Sequence, residues 1–388
     1  MPNGFSCKLD IQDAFRLLPI HKLDVPKLCF KIGKHYYFDK VLPQGCGSSC
    51  ALFERFSSSI HHIFHFYAPL CKTVHYLDDF LLFAPTYELC LAYRDFFIKL
   101  CTFIGVPLAP HKITLPAKDT TFLGIVIDTQ KMEARLPKEK ITKYVLNIQE
   151  LKDRQYLSLK QLQSIIGQLS FATAVLPGRV FLRRLIQLLP KYKHYKGRII
   201  LSKDAIEDLD MWISFLQHYN GVTLFRALRI LSGETLNLQA DASKKGFGAT
   251  FKNNWLQGSF PLSWQKYNIA VLEFFPLLVL VDVFGPELMN ATVIFFTDNQ
   301  AVYHILQELS SKHPAIIVLL RELVALLLKY NIDLRSEHVM GKHNTLCDLI
   351  SRFQVKDEIL HQMGMNQDPL PIPSRLQPSN YGDLPGPD

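Results

Sequence analysis

Along residues 5–130 the apolar positions switch repeatedly between a two-residue and a three-to-four-residue period, the mark of alternating strands and helices. "FSCKLDI" reads as a strand ending at Asp10, and "LCFKIGKHYYF" as a hairpin around Gly33-Lys34. "SCALFERFSSSIHHIF" predicts a helix with Ser48 or Ser49 as N-cap and Leu52, Phe56, Ile60 and Ile63 on one face. "VHYLDDFLLF" predicts a second hairpin, with Asp78 and Asp79 at its turn. A helix over "YELCLAYRDFFIKLCTFIG", closed by Gly105, and a hairpin over "TFLGIVIDTQKMEARL" complete the block. The order β, α, ββ, α, β is that of a split βαβ unit, so Asp10 and the Asp78-Asp79 pair are expected on adjacent strands.

Residues 137–220 have helical spacing throughout. "SLKQLQSIIGQLSFATAV" places Leu159, Leu162, Ile166 and Leu169 on one stripe after Ser158. From Thr235 the pattern restarts. "TLNLQAD", "GFGATFK" and "WLQGSF" predict a three-strand meander with turns at Lys244–Gly246 and Asn253-Asn254. There follow a helix carrying Glu273, a strand ending at Asp298, two helices, the strand "IDLRSEHV" and a final helix with Asp348. Pro276 is expected to kink the helix of Glu273. The last 22 residues hold six prolines and predict a disordered tail or linker over 354–388.

Charge adds a partner to this picture. Between Lys131 and Lys203 there are 16 Lys/Arg against 4 Asp/Glu, while the whole chain carries +8. So concentrated a basic segment points to a polyanion. Arg179, Arg183, Arg184, Lys191, Lys193, Lys196 and Arg198 supply much of it, with Tyr192 and Tyr195 among them. No apolar run reaches about 18 residues, because Glu273, Pro276 and Asp282 interrupt "AVLEFFPLLVLVDVF", so no membrane span is expected. Eight scattered cysteines without a CxxC pair, and no signal-peptide pattern, predict an intracellular protein of the cytoplasm or nucleus.

Asp10, Asp78 and Asp79 bring three hard oxygen donors to one place, as magnesium requires. "KLDIQDAF", "LPQGCGSS", "YLDD" and "FLG", in this order, resemble the palm of a reverse transcriptase from an LTR-type or tyrosine-recombinase (DIRS-like) retroelement. "PGR…LRRL" is similar to a helix of the DIRS-like branch. The resemblance implies an α+β polymerase palm over 1–130, a basic helical thumb and connection over 131–220, a linker over 221–234 and an RNase H-like α/β domain over 235–353. It implies RNA-directed DNA synthesis coupled to cleavage of the RNA strand of RNA–DNA hybrids. Two Mg²⁺ or Mn²⁺ ions per active site are implied, with RNA template, DNA primer and deoxynucleoside triphosphates as partners. Residue by residue, Asp10, Asp78 and Asp79 match the metal-binding triad. Phe15 matches the aromatic residue against the sugar 2′ position, with ordinary core packing as the other reading. Gln44 matches the glutamine of the incoming nucleotide, and Lys112 a lysine near the triphosphate; each also suits a plain surface position. Asp13 reads as a turn or cap group. Asp241, Glu273, Asp298 and Asp348 match the RNase H carboxylates. His338 matches that family's mobile histidine, within "HVMGKHNTLCDLISR". Such families place a fingers subdomain before the first aspartate, and only nine residues precede Asp10. The expectation is a fragment or truncated copy whose primer extension is weak beside its hybrid cleavage, or a remnant that only binds nucleic acid.

Overall fold

The computed structural model describes residues 1–154, 156–192, 198–219, 223–224, 230–339 and 345–386. It divides into two compact units, Met1–Pro137 and Lys138–Asp388.

In the first unit, β1 (Phe5–Asp10) is followed by the hairpin β2 (Cys29–Ile32) and β3 (His35–Phe38), helix α1 (Ser49–Tyr67), and the hairpin β4 (Lys72–Tyr76) and β5 (Asp79–Ala84). Helix α2 (Tyr87–Phe103) and strands β6 (Asp119–Phe122), β7 (Ile125–Asp128) and β8 (Glu133–Arg135) complete it. Strand β5 lies between β1 and β4 and is antiparallel to both. The β1–α1–β4 crossover therefore has a strand inserted in its middle, which is the split βαβ arrangement. Leu9, Phe80 and Leu82 from the sheet, Phe53, Ile60 and Phe64 from α1, and Phe97 from α2 form its core.

The buried face of α1 is turned by one residue from the expected stripe. Phe53, Ser57, Ile60 and Phe64 are buried, whereas Leu52 and Ile63 are exposed. Two apolar stripes one position apart share Ile60, and the packed one puts two phenylalanines into the core, which removes more apolar area from water. Ser48 is the N-cap but its side chain makes no cap hydrogen bond; Ser49 Oγ donates instead to the Pro43 carbonyl at 2.7 Å.

The second unit opens with α3 (Lys138–Lys152), α4 (Leu159–Ala172), α5 (Arg183–Tyr192) and α6 (Lys203–Ser214). Ser158 and Gln161 form a reciprocal capping box at the start of α4. After the two-residue β9 (Thr223–Leu224) come β10 (Ile230–Ser232), the single turn α7 (Gly233–Leu236) and the meander β11 (Gln239–Ala242), β12 (Gly246–Phe251) and β13 (Asn254–Ser259). The second turn of the meander is Lys252-Asn253, since Phe251 pairs with Asn254. Helix α8 (Ile269–Leu288), β14 (Thr292–Thr297), α9 (Gln300–Glu308), α10 (Pro314–Tyr330), β15 (Asp333–His338) and α11 (Thr345–Ser351) follow in the expected order. Strand β14 pairs in parallel with both β10 and β15, so the end of the expected linker is a strand.

Three further observations bear on the expectations. Helix α8 runs unbroken through Pro276 and Pro286. It is long and apolar enough to cross a membrane by length and composition, and 78% of its apolar window is buried inside the unit, as in a core helix. The helical block and the α/β block, expected as separate domains, share one unit. Asp208 of α6, fully buried, pairs with Arg184 of α5 at 3.2 Å and with Arg321 of α10, tying the two blocks together. Finally, the proline-rich tail is ordered against the α/β block. It carries α12 (Asp357–Gln362), and Trp264 Nε1 donates to the Gly382 carbonyl at 2.9 Å. Tyr381 Oη donates to Glu322 at 2.7 Å, Arg375 pairs with Asp282, and Leu376 and Leu384 are buried. Prolines limit helices and ladders but not packing. Removing residues 366–388 is expected to cost on the order of 4 kcal/mol, about 2 for each buried leucine. The check is the denaturant midpoint of the second unit, and an unchanged midpoint would contradict this account of the tail.

Candidate functional site

The first site is built by strand register. Cα pairing of β1 with β5 runs from Phe5↔Ala84 to Asp10↔Asp79, so the two aspartates end neighbouring strands side by side. Asp78 is fixed next to them, because Ile11 N donates to its carbonyl at 2.9 Å. Asp10 is 4% exposed, and burial pushes its carboxyl above the usual range; Lys112 opposes that shift, while Asp79 and Asp78 add to it. Lys112 Nζ grips both Asp10 oxygens, at 3.0 and 2.9 Å. Lys8 Nζ stands 2.8 Å from Asp79 Oδ1, a buried atom on which no hydrogen-bond donor is aligned.

A cavity opens here, lined by Asp10, Asp78, Ala14, Gln44 and Lys112 among others. It thus gathers the expected triad members Asp10 and Asp78 with two of the three expected nucleotide residues, Gln44 and Lys112. Phe15 follows Ala14 but packs its ring on Phe53, centroids 5.1 Å apart, at the edge of the core. Asp13 sits in the left-handed region at φ 55 and caps no helix with its side chain.

The second site lies where the meander, β14, α8 and α11 meet. Gly248 of β12 permits it: a Cβ there would stand 2.6 Å from Ile350 Cβ and 2.8 Å from the Cys347 carbonyl, so α11 lies directly on the sheet. Asp348 of α11 is thereby brought toward Asp241 of β11. Asp241 accepts from Ser351 Oγ at 2.8 Å, and Arg352 Nε holds Asp348 at 2.7 Å. Burial, then the charges of Asp348 and Asp298, push Asp241 up to about 6. Burial, then Asp298 and Asp241, push Glu273 up to about 7, although Asn299 hydrogen-bonds it. These mutual effects mark Asp241, Glu273, Asp298 and Asp348 as one cluster. His338 is exposed at the end of β15, where its Nε2 meets the Asp298 backbone carbonyl at 3.1 Å, so the ring donates.

Ser351, Arg352, Asn299 and Lys8 were not singled out by sequence. Ser351 and Arg352 follow Asp348 by three and four residues, so helical spacing alone places them beside it.

Both clusters suit a hard divalent cation in donor chemistry. Among the described residues, no group of three or more Asp, Glu, His or Cys is arranged to hold a metal ion as the side chains stand. In the first site Lys112 holds Asp10 as a cation would, and Lys8 stands against Asp79 in the same way. In the second, Arg352 offsets only part of the charge, and Asp241 and Glu273 stay raised. In donor type, three carboxylates in the first site and four in the second, the residues suit such an ion.

The expected phosphate-binding surface is smaller than its sequence count. Arg184 is committed to Asp204 at 3.3 Å and to buried Asp208, because a buried carboxylate needs a cation. Arg183 has its Nε buried. Arg179 is exposed, and exposed Arg198 lies over the Tyr156 ring at 5.0 Å. Lys191 belongs to α5, and Lys193 and Lys196 lie outside the described residues.

Comparison with known proteins now places this geometry. Residues 4–127 match the family model described as reverse transcriptase (RNA-dependent DNA polymerase). The chain is 24% identical over 373 residues to the enzymatic polyprotein of Cassava vein mosaic virus, covering 90% of this chain and 53% of that protein. It is 26% identical over 267 residues to the Gag-Pro-Pol polyprotein of Human T-cell leukemia virus 2, covering 66% of this chain and 17% of that protein. Its fold is similar to the foamy viral protease-reverse transcriptase solved with an RNA/DNA hybrid, at TM-score 0.50 and 19% identity over 86% of this chain and 44% of that one. Over residues 4–127 the chain is therefore similar to the reverse transcriptases. The chain spans about half the length of the first of these relatives, and far less of the second.

The raised acids of the second site have a consequence for stability. Their protonated forms are favoured in the folded state, so their contribution is full below the ordinary carboxylate range of about 4. It is lost as pH rises through about 6 for Asp241 and about 7 for Glu273. A divalent cation bound there would restore it. We expect Mn²⁺ to raise the melting temperature of the second unit more at pH 8 than at pH 5, and Asp241→Asn to remove most of that difference. Equal stabilisation at both pH values would contradict the cluster.

Proposed function

We propose that this chain copies an RNA template into DNA at the Asp10, Asp78, Asp79 site and cleaves the RNA strand of the hybrid at the Asp241, Glu273, Asp298, Asp348 site. The observation that carries the reading is the register that sets Asp10 against Asp79, with Gln44 and Lys112 lining the same cavity. Mg²⁺ or Mn²⁺ held by each carboxylate cluster, two ions per site, supplies Lewis-acid activation of the attacking oxygen and stabilises the leaving one. Asp10, Asp78 and Asp79 orient that charge. Gln44 supports the incoming deoxynucleoside triphosphate, and Lys112, half exposed, balances its phosphate charge. Phe15 bounds the sugar side from the core edge. In the second unit Ser351 and Arg352 keep Asp241 and Asp348 in place, and His338 sits at the mouth beside Asp298. Arg179 and Arg198 add sequence-independent phosphate contacts to the duplex.

The experiment gives the purified chain an RNA template with DNA primer and deoxynucleotides, and separately a labelled RNA–DNA hybrid, in Mg²⁺ and in Mn²⁺. Asp78→Asn is expected to abolish extension and leave hybrid cleavage at the parental rate. Asp298→Asn is expected to abolish cleavage and leave duplex binding intact, since it removes a metal ligand and no phosphate contact. Cleavage without any extension by the parent would reduce the reading to a hybrid ribonuclease. Parental cleavage by Asp298→Asn would overturn the second site.

A further inference from the structure

The turn that presents Asp78 and Asp79 begins with Leu77 at φ 53, a left-handed conformation that a residue with a Cβ holds only where its surroundings fix it. One side of the turn is tied to the extension of β1, through Ile11 N and the Asp78 carbonyl at 2.9 Å. The other side is tied to α1. Leu77 N donates to Glu54 Oε2 at 3.1 Å. The second carboxylate oxygen, Glu54 Oε1, pairs with His75 Nε2 at 3.0 Å. His75 is itself held on two sides: its Nδ1 meets His61 Nδ1 at 2.7 Å, and its ring stacks on the core residue Phe80 at 5.2 Å and 16°. Ser58 Oγ lies 3.4 Å from His75 Nε2. Glu54, Ser58 and His61 follow at intervals of four and three on α1, so one helix face reaches the back of the turn.

We propose that Glu54 is a positioning residue of the first site, acting through the Leu77 amide to aim Asp78 and Asp79, with His75 and His61 holding its carboxylate in place. The inference rests on reading Asp10, Asp78 and Asp79 as the metal-binding triad. A two-residue turn has few constraints of its own beyond its flanking pair, Tyr76 and Asp79. Freed at Leu77, it relaxes toward a less strained backbone, and both carboxylates move with it. A displacement of about 1 Å at a reacting group costs on the order of a hundredfold in rate, so even partial loosening is measurable. The bland reading is a helix-surface acid, in keeping with a Glu54 side chain that is 44% exposed.

The test uses the full chain with Glu54→Leu, which removes the acceptor at similar volume, and Glu54→Gln, which keeps an acceptor for the Leu77 amide. Both sit at a half-exposed position, and thermal melting of each checks that the fold is kept. Glu54→Leu is expected to lower kcat for primer extension about tenfold or more with KM for the deoxynucleotide little changed, and Glu54→Gln to recover most of it. Parental kcat in Glu54→Leu overturns the proposal, as does a Glu54→Gln that falls as far as Glu54→Leu while melting like the parent. A parent chain that extends no primer defeats the polymerase reading instead. The inference is then read from Mn²⁺ titration in a chain carrying Asp241→Asn and Asp298→Asn, which silences the second cluster. There Glu54→Leu is expected to weaken Mn²⁺ binding several-fold and Glu54→Gln to spare it, and equal affinities in all three overturn it.

Discussion

The antiparallel pairing of β1 with β5 is the constraint on which the first unit's chemistry depends. Side chains alternate across a sheet, so a slip of one residue would send Asp10 to the opposite face and separate it from Asp79. The register is held by burial on the other face: Cys7 and Leu9 from β1, and Phe80 and Leu82 from β5, are all sealed by α1 and α2. The core thus sets the aim of the acids. The tight pack of Phe53, Phe64, Phe80 and Phe97 is what makes a charged strand end affordable, because three carboxylates in one place repel each other and need the rest of the unit to hold them.

The two sites meet the same electrostatic difficulty differently. In the first, lysines stand against the acids, Lys112 on Asp10 and Lys8 beside Asp79. In the second, burial and neighbouring carboxylates make Asp241 and Glu273 hold protons more tightly. Ser351 and Arg352 order that site, and Arg352 offsets part of its charge. On the proposed reading, a divalent cation would relieve both arrangements, displacing lysine from one and protons from the other. That difference predicts that metal binding at the second site is the more pH-dependent of the two.

Much of this was legible in the sequence, and the parts that were not have physical reasons. Strand alternation and turn chemistry revealed that Asp10 and the Asp78-Asp79 pair converge, since both depend on local pattern alone. The four acids of the second site were named by the resemblance to RNase H-like domains rather than by local pattern. The packed stripe of α1 was not, because its helix is apolar on neighbouring stripes and only the sheet beneath it decides between them. The fate of Arg184 depends on Asp208, 24 residues away, and on Arg321 from another helix. Long-range pairing of that kind leaves no periodic trace. The tail misled through its prolines, which signal the absence of regular structure but say nothing of whether Leu376, Tyr381 and Leu384 find a surface. Glu54 was hidden within a helix whose polar positions looked like an ordinary solvent face.

The most direct measurement is anomalous diffraction at the manganese edge from crystals of this chain soaked in Mn²⁺. The account predicts a peak about 2.1 Å from carboxylate oxygens of Asp10 and its neighbours Asp78 or Asp79, with Lys112 withdrawn from Asp10. Manganese at the second cluster alone, with the Lys112–Asp10 pair intact at saturating metal, would contradict it.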